Sequence, residues 1–337
     1  MSGYYLLKNG EFAYNRSSSG EFPFGSIKRL DQYKAGAVST LYICFGLRDQ
    51  SPVSDFVKWY FDSSKWHREA GLICAEGARN HGLLNVPTAG FFNTIHHIPA
   101  NKDEQKKIAS FLSLVDRRLT AQRRLVELLK KHKRGLHSAI FGQKCRVVND
   151  DGKPWPVWRQ VRIGDIFQER SERGGTADEL LSVTINNGVR RQADTDKKDS
   201  SSEDKSNYKK VLPGDIVYNT MRMWQGASGV SPWAGIVSPA YTVIYPLGRQ
   251  NTIFWAYAFK YWRLIQEFQK FSQGLTSDTW NLKYPQLSDI RVYEPSMDEQ
   301  EAIANILSML DGRVMAAEQE LNKMRNLKSG LLQQLFV

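Results

Sequence analysis

Cysteine is nearly missing: Cys44, Cys74 and Cys145 are the only three among 337 residues, and they lie far apart. Without a Cys-x-x-Cys pair or a Cys/His cluster they build neither a disulfide framework nor a structural zinc site. Long apolar runs are missing too. None approaches the roughly 18 to 20 residues of a membrane span, and residues 1–20 lack the basic start and apolar centre of a signal peptide, so a cytoplasmic chain is expected. Negative charge is in the minority, with 35 Asp and Glu against 46 Lys and Arg, a net charge of +11. That balance suits a polyanionic partner without identifying one.

The machinery of catalysis is also absent. There is no Gly-x-x-x-x-Gly-Lys-Ser/Thr loop and no Gly-x-Gly, hence no nucleotide cradle. The six histidines form no His-Glu-x-x-His, and His96-His97 reads as a polar strand end rather than a ligand pair. Glu104-Gln105-Lys106 and Glu203-Asp204-Lys205 match the Glu-x-Lys half of a nuclease site, but no Pro-Asp dipeptide accompanies them. No Asn/Asp-Pro-Pro-aromatic loop for adenine methylation occurs either. Neither catalytic residues nor a metal site is expected.

What the chain does have is an internal repeat. Residues 103–141 and 298–336 align without a gap at an offset of 195, and 14 of 39 positions are identical, among them Asp103/Asp298, Asp116/Asp311, Lys133/Lys328, Gly135/Gly330 and Phe141/Phe336. The likeness continues upstream with drifting offsets: Gly10 to Asn15 beside Gly214 to Asn219, Val38-Ser39 beside Val237-Ser238, Gly77 beside Gly274, Asn85 beside Asn281. The unit is a globular part followed by a long helix. Tyr4 aligns with Tyr208, so roughly residues 155–207 have no counterpart in the first copy, which reads as amino-terminally truncated. The turn-rich joint Val148 to Pro154 opens the second copy.

The repeated helices carry heptad seams: Ile108, Leu112, Val115, Leu119, Val126, Leu129 and Leu136 in one, Ile303, Leu307, Leu310, Val314, Leu321, Met324 and Leu331 in the other. Each helix is expected to be about 58 Å long at about 1.5 Å per residue. Residues 103–141 carry a net +6 and 298–336 a net −2, which favours pairing of the two different helices. The chain returns between them, so they are expected antiparallel. Arg117, Arg118, Arg123, Arg124, Lys130 and Lys131 lie either in a solvated face or against phosphate or a partner.

The expected fold class is α+β: two globular domains, the first incomplete, separated by two long antiparallel helices forming a coiled coil. The expected bounds are 1–100, a partial first domain; 101–144, the central helix; 145–296, the second domain; and 297–337, the carboxyl-terminal helix. Within the second domain the strand-like runs are Trp158–Ile166, Leu180–Thr184, Asp215–Asn219, Ile236–Val243 and Asp289–Tyr293, with an aromatic helix near Phe254–Phe271.

Its loops hold side chains suited to DNA. Arg190, Arg191, Lys197 and Lys198 lie in a long polar segment, Thr220, Arg222, Trp224 and Gln225 follow a strand, and Ser277, Thr279, Asn281 and Lys283 form a further loop. Arg16, Arg79 and Asn80 are the candidates in the first copy. Arg, Gln and Asn make bidentate contacts to base edges, and Lys, Ser and Thr hold phosphates. Each residue alone is equally a solvated loop position, and Trp224 and Trp280 are equally core anchors.

The ordered set of a globular reader, a helix from Asp103-Glu104-Gln105 to Lys133-Arg134-Gly135-Leu136 and Phe141, a second reader introduced by Asp151-Gly152-Lys153-Pro154-Trp155-Pro156, and a second helix from Asp298-Glu299-Gln300 to Ser329-Gly330-Leu331-Leu332-Gln333-Gln334-Leu335-Phe336 resembles the specificity subunit of type I restriction-modification enzymes. The resemblance covers almost the whole chain. It implies two target-recognition domains reading the halves of a bipartite site in double-stranded DNA, with the helices as spacer and as dock for two modification (methyltransferase) subunits, in defence against foreign DNA. It implies no catalysis and no cofactor in this chain: partner subunits would use S-adenosylmethionine, and restriction/motor subunits ATP and Mg2+. The missing third of the first domain leaves one alternative, a truncated assembly or regulatory protein that binds modification subunits through its coiled coil without reading DNA.

Overall fold

The computed structural model describes residues 3–20, 22–48, 52–74, 82–149, 151–175, 178–185, 188–195 and 204–336. It divides into two compact units, unit 1 of residues 1–127 with 315–337 and unit 2 of residues 128–314. The division falls inside both long helices, 102–141 and 297–334, so each unit holds a part of each.

Unit 1 begins with strands β1 (Tyr4–Lys8), β2 (Phe12–Asn15), β3 (Ser26–Arg29), β4 (Ala35–Ser39) and β5 (Ile43–Phe45) and helices α1 (Ser54–Asp62), α2 (His67–Ile73) and α3 (Thr88–Phe92). β1 pairs antiparallel with β4, and β2 lies between β3 and β5. Helix α4 (Lys102–Phe141) enters from this unit, and α9 (Met297–Gln334) ends in it. α1 buries Phe56, Val57, Trp59, Tyr60 and Phe61, nearly its whole circumference, against Phe12, Tyr14 and Ile27 of the sheet, Leu112 of α4 and Phe336 beyond α9. Phe336 meets the rings of Phe56 and Tyr60 edge-on at 5.3 and 5.8 Å.

Unit 2 holds β6 (Arg159–Arg162), α5 (Ile163–Ile166), β7 (Phe167–Glu169), β8 (Leu181–Thr184), β9 (Gly188–Arg191), β10 (Lys209–Val211), β11 (Ile216–Asn219), β12 (Ser228–Val230), β13 (Gly235–Val237), β14 (Tyr241–Pro246), α6 (Thr252–Ala258), α7 (Trp262–Phe271), α8 (Tyr284–Ser288) and β15 (Arg291–Glu294). The central sheet runs β12-β11-β14-β7, with the pairs β10-β13, β8-β9 and β6-β15 beside it. Three sequence expectations shift. The run Ile236–Val243 is two strands in different sheets, broken where Tyr241 N bonds back to Ser238 O at 2.9 Å. The aromatic helix is two, because Tyr261 takes an extended backbone between α6 and α7. The run Trp158–Ile166 yields one short strand and then α5, whose first turn Asp165 closes by accepting Arg162 N at 2.9 Å.

The repeat is repeated contact by contact. Gln105 accepts from Val53 N at 2.8 Å and donates to Pro99 O at 2.7 Å, while Gln300 accepts from Asn251 N at 2.9 Å and donates to Pro295 O at 3.1 Å. The Asp-Glu-Gln signature thus ties the start of each long helix to the start of an aromatic helix, with both glutamines buried. In unit 1, α4 and α9 run antiparallel, held by Lys328 on Asp116 at 2.5 Å and Gln122 donating to Ala317 O at 2.9 Å. In unit 2 the equivalent pair is Lys133 on Asp311, which also accepts from the Tyr257 hydroxyl at 2.6 Å. Lys328 lies over the Trp59 ring at 4.7 Å and Lys133 over Tyr257 at 5.5 Å. Partly exposed, such pairs fix register more than they add stability, at about 1 kcal/mol or less each. All fourteen seam residues are buried or half-buried.

Unit 2 has two cores, one around Phe254, Phe259 and Leu307 and a smaller one of Leu181, Val183, Val189, Val211, Val217, Val237 and Val243. Unit 1 has only the counterpart of the first among its described residues.

Because Phe336 closes the unit 1 core, Phe336→Ala is expected to cost that unit about 3 to 5 kcal/mol, the range for a buried Phe truncation. Denaturant unfolding monitored by hydrogen exchange in α1 measures it. A loss below about 1 kcal/mol, also at the low end for core truncations, would mean that the helix end is not part of this core.

Candidate nucleic-acid interface

The turn after β11 is built by its own side chains. Asn219 Oδ1 accepts from Met221 N at 3.0 Å, Arg222 N donates to Asn219 O at 3.0 Å, and Met223 is fully buried as the anchor of a short 3-10 turn, Met223–Gln225. Gly226 closes it at φ 78°, a left-handed conformation that favours glycine. Met221 is left exposed, and Arg222, Trp224 and Gln225 half-exposed.

The second loop is a narrow hairpin in which Gln273 and Asn281 exchange backbone hydrogen bonds at 3.0 and 2.8 Å. Gly274, at φ 136°, places any added Cβ 2.6 Å from Thr279 O, so glycine is required there. The Thr279 hydroxyl donates to Thr276 O at 3.0 Å, and Ser277 and Leu275 stand exposed at the tip.

These two loops, far apart in sequence, meet in unit 2. Leu282 N donates to Thr220 O at 2.9 Å, and Trp224 packs edge-on against Trp280 at 5.2 Å. The tryptophans therefore clamp loop to loop, and the Trp224 Nε1 donates to Met221 O at 3.1 Å. Arg222 and Lys283 flank this junction in sequence, and neither has a side-chain partner among the described residues. Arg190, exposed on β9, likewise has none. The arrangement offers unneutralised cations, amide and hydroxyl groups at Gln225 and Ser277, and apolar tips at Met221 and Leu275, the mixture that contacts phosphates and base edges.

Other candidates serve the fold. Thr220 is buried with its hydroxyl on Ala240 O at 2.9 Å. Arg16 is spent on backbone carbonyls, donating twice to Leu41 O at 2.9 and 2.7 Å and once to Val86 O at 3.1 Å. Arg191 pairs with Glu179 at 3.2 Å and lies over the Trp233 ring. Asn281 keeps its side-chain oxygen buried without a partner among the described residues. Lys197, Lys198, Arg79 and Asn80 lie outside the described residues.

Sequence reasoning missed Lys260. Its ammonium donates to Gly226 O, to Ser228 O at 2.9 Å and to Ile185 O at 3.1 Å, fastening the end of the first loop. The only sequence signal was a lysine inside an aromatic stretch, Phe259-Lys260-Tyr261-Trp262. Burial depresses its pKa from 10.5 to about 8. His96 is also structural: its ring nitrogens meet the Tyr60 hydroxyl at 3.0 Å and the Thr94 hydroxyl at 2.9 Å, and burial lowers its pKa. Among the described residues no group of three or more His, Cys, Asp or Glu side chains is placed to hold a metal, and no helix is long and apolar enough to cross a membrane.

Two pseudo-repeated α+β units sharing a pair of long helices define a fold class, that of the specificity subunits of type I restriction-modification systems. Similar structures include the HsdS subunit from Thermoanaerobacter tengcongensis (TM-score 0.54, 17% identity, 98% of this chain and 81% of that one) and the type I restriction-modification S subunit from M. genitalium (TM-score 0.56, 16%, 98% and 84%). A third comes from a structure of complex assembly and conformational transition of the type I R-M system (TM-score 0.58, 14%, 100% and 84%). No protein-family model matches the sequence, and no curated protein does.

Lys260 sets a pH test. Between about 8 and 10.5 the unfolded chain holds a proton there that the folded chain has released, so this group makes stability rise with pH across that window. Lys260→Met removes the contribution. The melting temperature of the parent chain relative to this variant is expected to climb from about pH 8 to about pH 10; a pH-independent difference would contradict the assignment.

Proposed function

We propose that the chain is the DNA-recognition subunit of a type I restriction-modification complex, in which unit 2 reads one half of a bipartite site in double-stranded DNA. The observation that supports this reading best is the pair of tryptophan-clamped loops carrying Arg222 and Lys283 without neutralising partners among the described residues, in a chain that shares the fold of such subunits along its whole length. Arg222 acts as a base-edge reader and Lys283 as a phosphate contact. Unit 1 serves the other half-site. The paired helices form a coiled-coil spacer whose length sets the unread gap, and their exposed faces dock two modification subunits. Methyl transfer from S-adenosylmethionine and ATP- and Mg2+-dependent cleavage belong to partner subunits, and this chain contributes recognition alone.

Arg222→Ala is expected to weaken DNA binding by about 1 to 3 kcal/mol and to relax sequence preference at one position. Lys283→Ala is expected to weaken binding to all sequences alike and to lower the salt slope by about 1. Fluorescence anisotropy with duplex DNA over a salt series, with and without the modification subunit, measures both. A chain with no salt-dependent DNA affinity in either setting would refute the proposal.

A further inference from the structure

Unit 2 brings a third segment to the two clamped loops, the hairpin of β8 and β9. It carries Arg190, exposed and without a side-chain partner among the described residues. Leu181, Val183 and Val189 hold the hairpin in the smaller, valine-rich core. Its tip lies against β12. A Cβ added at Gly229 would stand 2.7 Å from Gly188 Cα and 2.9 Å from Val189 N, so the two backbones touch where a side chain has no room. Lys260 stands at this junction, and its ammonium divides its donors between the two segments. Gly226 O and Ser228 O belong to the end of the Arg222 loop, and Ile185 O belongs to the hairpin tip. With all three N–H groups on carbonyls, none is left for a phosphate or a base.

Unit 1 shows that the repeated fold does not itself require a lysine here. Val53 and Asn251 donate to the equivalent buried glutamines; Asp62 lies nine residues after the first and Lys260 nine after the second. In the strand register, Lys28 stands opposite Ala13 as Gly229 stands opposite Val217. Lys28 and Asp62 pair with each other at 2.5 Å. Unit 1 therefore fills the place with an ion pair of its own, whereas unit 2 reverses the charge at one position and removes the side chain at the other. What those two changes make possible is the seating of the β8–β9 tip on β12 and on Lys260.

We propose that Lys260 is a positioning residue for DNA recognition: by fastening the β8–β9 tip and the end of the Arg222 loop to one ammonium, it presents Arg190 and Arg222 as a single reading surface. The proposal rests on the recognition role of unit 2 and adds to it a third reading segment and the residue that aligns it. Hydrogen bonds from an ammonium are stronger than neutral ones, and a surface ordered beforehand loses less freedom on binding. Lys260 thus acts on specificity through two other residues and touches no base.

The test selects from a randomised pool of duplex DNA with the full chain and the modification subunit, and sequences what is bound. Arg190→Ala and Arg222→Ala are each expected to relax preference at base positions of their own. Lys260→Met is expected to relax both sets at once, with enrichment falling about tenfold at each, the worth of one base contact. Its salt slope is expected to stay that of the parent, because no phosphate contact is lost. Hydrogen exchange is expected to quicken at β9 and at Gly226 to Ser228 and to stay slow in α6. Gly229→Ala supplies a second route that leaves Lys260 in place: it lifts the hairpin tip alone and is expected to relax only the Arg190 set. A Lys260→Met chain that loses one set or neither, a changed salt slope, or an Arg190→Ala or Gly229→Ala chain that keeps the parent's whole preference would each overturn the proposal while the recognition role stands. A parent chain that enriches no sequence would overturn both.

Discussion

Each unit depends on an aromatic core closed by the far end of a helix. Phe336 fills the core around Phe56 and Tyr60, and Phe141 sits among Phe254, Trp158 and Tyr261. Neither core is complete within a contiguous stretch belonging to one repeat. The glutamine at each helix start and the Asp–Lys pair along each helix follow from this closure, since a helix pinned at its end by a phenylalanine and at its start by a buried amide has its register decided. The ion pairs are too exposed to hold the helices by themselves.

The loops that carry the candidate interface inherit their geometry from this frame. β11 delivers Asn219 to the turn, α7 follows Lys260, and Leu282 precedes α8, so both loops spring from elements fixed by the larger core of unit 2. In unit 1 the same topological place is taken differently. Arg16 uses its guanidinium where unit 2 uses the Thr220 hydroxyl, each capturing the carbonyl at the end of the neighbouring hairpin, Leu41 or Ala240. A charge suited to DNA is thereby absorbed into backbone support.

Much of this was legible in the sequence, for a specific reason: the repeat compares the chain with itself. The ungapped match of Asp103–Phe141 with Asp298–Phe336 located both long helices, and the heptad seams gave the buried face. Pattern failed where tertiary contacts decide. A continuous apolar run such as Ile236–Val243 carries no mark of the bend at Ser238 that sends it into two sheets. The meeting of Trp224 with Trp280 and the three carbonyls around Lys260 are long-range facts with no local signature. For Thr220 and Arg16, residue type pointed to DNA, and only the hydrogen-bond partners assign them to the scaffold.

The closure of unit 1 by Leu331, Leu335 and Phe336 orders events at the ribosome. Domains made first usually fold first, during synthesis. Here the core of unit 2 lies within residues 128–314, ahead of the segment 315–336 that unit 1 needs. The unit made earlier must wait with Phe56 and Tyr60 uncovered until residues 331–336 emerge. Its form before that closure is therefore the one exposed to chaperones and to misassembly, and a chain cut short ahead of Leu331 is expected to keep Phe56 and Tyr60 uncovered.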